Sequence, residues 1–180
     1  MTFEIPSDLA PEAYPLAWLL GSWSGSGELS HEDIETTEVI QNLTFDHDGG
    51  PYLRFTSTIY AHNPALSEPH EKKKHYDVWS TETGYWRIMP EQPAEIPAGL
   101  TAIECLIADP AGRVSVLLGT VGNGRVDLSS DLIARTESAA EVTAVKRMYG
   151  NVAGQLLWVE EIAAFGKPLQ NYLSLTLDRA

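Results

Sequence analysis

Short alternating runs of apolar and polar residues fill most of this chain, and they begin abruptly at Gly21. Before that point, residues 11–20 form a crowded apolar piece with Leu16, Trp18, Leu19 and Leu20, which predicts a short helix packed onto something larger. Ser7 or Asp8 is a candidate cap for its first turn. Gly21, free to adopt a positive φ, is expected to end it. Beyond Gly21, runs rich in β-branched and aromatic residues recur between turn residues. They fall at 23–29, 36–45, 52–60, 76–79, 85–89, 100–107, 114–121, 126–134, 141–149, 156–164 and 169–178. Thr81-Glu82-Thr83-Gly84 and Gly122-Asn123-Gly124 each predict a hairpin. Pro-rich loops are expected at 61–74 and 90–99. About ten strands with short connections imply a sandwich or a barrel, and closure removes exposed edges. The expectation is an all-β chain: an antiparallel β-barrel of about ten strands, with a short N-terminal helix near one mouth. One domain is expected over residues 1–180, with 1–14 as an N-terminal extension.

Composition narrows the function classes. Of 180 residues, 43% are apolar, enough for a sizeable core, and 21% are charged, too few for a disordered chain. A net charge of -13 argues against phosphate neutralisation, so no nucleic-acid partner is expected. No apolar stretch approaches a membrane span, and the N-terminus lacks the basic start and apolar run of a signal peptide. With the lone Cys105 excluding an intramolecular disulfide, the expected location is the cytoplasm. Cys105 lies in an apolar stretch and is expected to pack as a small hydrophobe. Lys72, Lys73 and Lys74 are expected to form a solvated turn.

Candidate chemistry is sparse. His31, His47, His62, His70 and His75 show no zinc-helix spacing and are expected to be exposed in loops. Glu160-Glu161 and Glu32-Asp33 are adjacent pairs, which a strand points to opposite faces, so neither forms a carboxylate dyad. No nucleophile elbow or triad signature occurs, and no catalytic residue is assigned. The most informative stretch is Gly21-Ser22-Trp23-Ser24-Gly25-Ser26-Gly27. Small residues alternating with Trp23 let a strand bend and a neighbouring backbone come close. A phosphate-binding Gly loop would need a following Lys-Ser/Thr and a helix, and neither is present.

That stretch resembles the GxWxGxG motif of the nitrobindins, ten-stranded barrels like the fatty-acid-binding proteins that hold haem b and react with nitrogen oxides. Three further stretches match in order: Glu82-Thr83-Gly84-Tyr85-Trp86-Arg87; Glu141 to Ala144 with Arg147 and Tyr149; and Gly166 to Gln170, leading to Leu177-Asp178-Arg179. The resemblance covers residues 15–179. In the family, a residue and then His-Leu follow the Pro-Leu-Gln stretch, and that His is the proximal iron ligand. Here the place reads Asn171-Tyr172-Leu173. Ser80 stands where relatives commonly carry another His, and His31-Glu32-Asp33 replaces an early Tyr-Pro-Thr turn.

The resemblance therefore implies a barrel without standard haem ligation. A phenol must lose its proton before binding iron, against a reference pKa of about 10. Tyrosinate ligates haem in some proteins, usually beside a stabilising cation. The primary expectation is no cofactor, no catalysis and a small apolar ligand in the barrel. Ser80, Trp86 and Arg87 are candidate pocket residues beside Tyr172. One alternative is a haem b protein acting on nitric oxide or peroxynitrite through a substitute ligand. Another is a carrier of fatty acid or other lipophile, with Arg54, Arg87 or Arg147 as the internal base. In a regular strand, an inward Tyr172 would put Leu173, Leu175 and Leu177 outside, which predicts a homodimer at that face. A bulge would break this parity instead.

Overall fold

The alternating runs become ten strands: β1 Gly21–His31, β2 Ile34–Asp46, β3 Leu53–His62, β4 Tyr76–Ile88, β5 Thr101–Asp109, β6 Arg113–Gly122, β7 Arg125–Arg135, β8 Val142–Val152, β9 Gln155–Ala164 and β10 Gln170–Arg179. Every neighbouring pair is antiparallel, and β1 returns to β10 to close the barrel. The computed structural model describes residues 5–32, 34–66 and 74–180. Asp33, His70, Lys72 and Lys73 lie outside the described residues.

Two turn expectations part ways. Asn123 and Gly124 both have positive φ, 53° and 69°, as a two-residue hairpin loop requires. The expected hairpin at 81–84 does not exist. Residues 76–88 form one strand, in which Glu82 pairs with Ser57 on β3 and Gly84 pairs with both Phe55 on β3 and Ile107 on β5. Polar side chains there suggested a turn, but no residue of 81–84 takes the positive φ that a tight turn needs.

The predicted helix forms as a 3₁₀ helix, Pro11–Leu19. Pro11 opens it without leaving an unmet donor, and Pro15 inside denies it an α-helical hydrogen bond. Neither Ser7 nor Asp8 caps it: the cap residue is Ala10, with no side-chain hydrogen bond. Ala13, Leu16, Ala17 and Leu19 are buried, so the helix plugs one end of the barrel. Trp23 meets it there and donates from Nε1 to the Leu19 carbonyl at 2.8 Å. The Arg179 guanidinium lies 4.2 Å above the Trp23 ring and donates to the carbonyls of Trp18 and Leu20.

The glycine motif is structural. Gly21 has φ 120°, which turns the chain from helix into strand. At Gly25 and Gly27, an added Cβ would lie 2.1 Å and 2.0 Å from the Thr176 and Ser174 carbonyl oxygens of β10. The small residues thus let the first and last strands come together where the barrel closes.

The row Leu173, Leu175 and Leu177 is interior, 4%, 2% and 0% exposed, not on the outer surface. Opposite β9, Asn171 pairs with Glu161 and Leu173 with Glu160, which leaves Tyr172 as the extra residue of a bulge. The bulge lets Tyr172 and the leucines face the same side. The argument for a dimer at that face loses its premise. Above the helix, Phe45, Phe55, Trp86, Tyr149 and Trp158 form a chain of ring contacts at 5.0–5.7 Å. Cys105 is fully buried, and burial pushes its thiol pKa up, as befits a packed hydrophobe.

Candidate functional site

At the end of the barrel away from the helix, side chains leave a cavity of about 170 Å³. Its floor is ionic. Arg147 on β8 forms a two-pronged pair with Glu82 on β4, Nη1 to Oε2 at 2.8 Å and Nη2 to Oε1 at 2.6 Å. Its Nε donates to Glu160 Oε2 on β9. Arg147 and Glu160 are 7% and 5% exposed. Burial opposes the Arg147 charge, but the two carboxylates outweigh it and hold the guanidinium protonated well above its usual range. Burial pushes the Glu160 pKa up more than Arg147 pulls it down. A second pair, Arg113 Nε to Asp109 Oδ2 at 2.8 Å, lies in the wall. Ile107, Leu117, Ile133, Val142, Val145 and Ile162 supply the apolar surface.

Two aromatic residues meet at the rim. Trp79 is the extra residue of a bulge in β4, since Ile59 pairs with Ser80 and Tyr60 with Val78. Its Nε1 donates to the Tyr172 hydroxyl at 2.7 Å. The two bulges, on strands distant in sequence, thus bring these side chains together. The Tyr172 hydroxyl accepts this bond, and its proton has no acceptor among the described residues. Burial, reinforced by the Glu160 and Glu82 charges, pushes the phenol up to about 12 despite the Trp79 bond. Phe165, with φ 54°, completes the rim and lies edge-on to His31 at 5.7 Å between ring centres.

The phenols give a prediction. Tyr76 and Tyr172 are each pushed up to about 12, chiefly by burial, and burial pushes Tyr149 higher still. Their folded pKa values exceed the unfolded value of about 10. Stability tied to these groups is therefore complete below pH 10 and falls as pH rises through about 12. Phenolate absorbance during alkaline titration is expected to show these three lagging in the native protein and rejoining the others in denaturant. Tyr172→Phe should remove one lagging group.

The expected site residues are scattered. Tyr172 lines the cavity, and none of residues 21–27 does. Trp86 is in the aromatic core, wholly buried. Ser80 is half-buried and does not line the cavity. Arg87 points outward and pairs with Glu104 at 2.7 Å, and Arg54 pairs outside with Asp46 at 2.6 Å. Of the three candidate internal bases, only Arg147 is inside. His31 is buried, 5% exposed, not a loop residue at the surface. Trp79, Asp109, Arg113, Glu160 and Phe165 line the site without having been singled out for it. Glu160 and Glu82 share Arg147 across three strands, an arrangement invisible to adjacent-pair reasoning. The usable sign was Glu82 at four residues from Trp86: a strand's alternation puts a charged residue on the same inward row as a core tryptophan.

Comparison with known proteins agrees with this architecture. Residues 12–179 match the family model described as "THAP4-like, heme-binding beta-barrel domain". A ferric nitrobindin-like protein from Beutenbergia cavernae is 43% identical, with 99% of each chain covered. A peroxynitrite isomerase from Nocardioides sp. is 36% identical, again over 99% of each. The crystal structure of Rv2717c from M. tuberculosis superposes with a TM-score of 0.76 at 28% identity, covering 96% of this chain and 99% of that one. A closed ten-stranded barrel, a family model spanning nearly all of it and relatives similar over their full length lead to one conclusion: the chain belongs to the THAP4/nitrobindin-like haem-binding β-barrel family.

Proposed function

We propose that this chain is a ferric nitrobindin-like barrel that lacks the proximal haem histidine and keeps its cavity for a small, mainly apolar molecule. The observation that carries this reading is the state of Tyr172, which stands at the family's ligand position. Its phenol is pushed up to about 12, and its oxygen already accepts a bond from Trp79. Iron would need the phenolate, and although the Trp79 bond and the Arg113 charge favour that anion, burial and the Glu160 and Glu82 charges outweigh them. Arg147 is shared between two carboxylates, and Arg113 is paired with Asp109. No histidine lies among the described lining residues. These residues do not suit haem iron, so no step of a haem reaction is assigned to this chain.

The cavity volume supports a small occupant. About 170 Å³ is close to the ~150 Å³ apolar cavity that accepts benzene, and below the ~300–1,000 Å³ usual for drug-sized ligands. The name peroxynitrite isomerase, carried by relatives at 36% identity and 37% identity, favours a second reading, haem b chemistry on peroxynitrite. That reading requires a substitute iron ligand, with Tyr172 as its phenolate the candidate in the lining. A carrier of fatty-acid anions is disfavoured, since the buried Arg147 already has two carboxylate partners.

Titration with ferric haem tests the reading. The wild-type protein is expected to give no saturable, defined Soret shift. Tyr172→His is expected to gain one, because it returns a neutral nitrogen donor to the same place. A saturable shift in wild type that vanishes in Tyr172→Phe would overturn the proposal in favour of tyrosinate ligation.

A further inference from the structure

The ionic floor of the cavity is unbalanced. Two arginines, Arg113 and Arg147, face three carboxylates, Glu82, Asp109 and Glu160. Asp109 has Arg113 and Glu82 takes both prongs of Arg147, which leaves Glu160 with a single bond to Arg147 Nε through Oε2. Its other oxygen, Oε1, accepts no hydrogen bond among the described residues. Glu160 is nevertheless 5% exposed and lines the cavity. That oxygen is not sealed from solvent, and a cation brought to it would be held by a charge-assisted bond.

We infer that the cavity takes a small organic cation: a primary ammonium set against Glu160 Oε1, carried on an apolar body of about one ring. Ile107, Ile133, Val145 and Ile162 offer the surface for that body. The Arg147 pair is saturated and the chain carries a net charge of -13, so both the local and the overall field disfavour an anion. This rests on the reading of the cavity as a small-molecule site.

Three probes of one size and different charge test it: benzylamine, benzyl alcohol and benzoate. The Trp79 indole N–H resonance, identified by its loss in Trp79→Phe, reports from the rim at neutral pH. Benzylamine is expected to bind about tenfold more tightly than benzyl alcohol, as a charge-assisted bond gives over a neutral one, with benzoate weakest. In Glu160→Gln, the amine and the alcohol are expected to bind within about twofold of each other. Equal binding of amine and alcohol to the wild type would overturn this inference while leaving the small-molecule reading intact. Tightest binding by benzoate would overturn it in favour of Arg113. No shift with any probe would sink both. The wild-type ranking decides even if Glu160→Gln fails to fold.

Discussion

Replacing Arg147 with methionine is expected to destabilise the barrel by about 3–5 kcal/mol at neutral pH, the range for removing one partner from a buried ionic network. Methionine preserves much of the volume, so packing loss is a minor part. The larger part comes from leaving Glu82 and Glu160 facing each other without the guanidinium they share. The sign with pH follows. Burial already raises the Glu160 pKa, and losing Arg147 raises it further. A folded pKa above the unfolded one favours the folded state below the unfolded pKa and penalises it as pH rises. The deficit of Arg147→Met should therefore shrink as pH falls toward about 4.5, the ordinary glutamate value. Denaturant midpoints at neutral and mildly acidic pH measure this. Combining Arg147→Met with Glu82→Leu and Glu160→Leu is expected to recover most of the lost stability, since a hydrophobic replacement of a whole buried network is often neutral. A single variant as stable as wild type would show that the shared guanidinium does not stabilise the barrel.

Gly27→Ala is the second large effect. Its Cβ would lie 2.0 Å from the Ser174 carbonyl oxygen and 2.7 Å from the Leu175 Cα, both backbone atoms of β10. No rotamer change relieves a clash with backbone, so β1 and β10 must separate at the seam that closes the barrel. A cost of about 3 kcal/mol or more is expected, at the upper end of overpacking penalties. Gly150→Ala is the matched control. It also lies inside a strand, but its Cβ would meet no atom within 4 Å. That change is expected to be neutral or to stabilise by about 0.4–1 kcal/mol through the unfolded chain. Thermal or denaturant unfolding of both variants checks the contrast. Equal effects would show that the glycines of the motif are not there for close approach.

Much of the architecture was legible in the sequence. Period-two alternation placed nearly every strand, because one face of each lies against a closed interior and the other against water. Gly122-Asn123-Gly124 named its own turn, since few residues accept two successive positive φ values. The glycines of residues 21–27 implied a close backbone approach, which β10 supplies. The false hairpin at 81–84 has an equally local origin. Thr81, Thr83 and the carboxylate of Glu82 look like turn chemistry until Glu82 is seen to have a buried arginine opposite it.

The candidate site was the least legible part, for two physical reasons. Its side chains come from strands far apart in sequence: Trp79 and Tyr172 are 93 residues apart, and Glu82 and Arg147 are 65 apart. Only closure of the barrel brings them together. Parity, the rule that assigns strand residues to faces, also fails at both rim residues, because a bulge inserts one residue and resets the alternation.

The sequence by itself therefore determined the class of fold, the close-packed seam and the phenol at position 172. Each is a local property, set by alternation, by the absence of a Cβ or by residue identity. Tertiary structure alone decided that Tyr172 and a whole leucine row face the same interior. It alone gave one buried arginine two carboxylates, because pairing of charges across a barrel depends on which strands become neighbours and on where their registers slip.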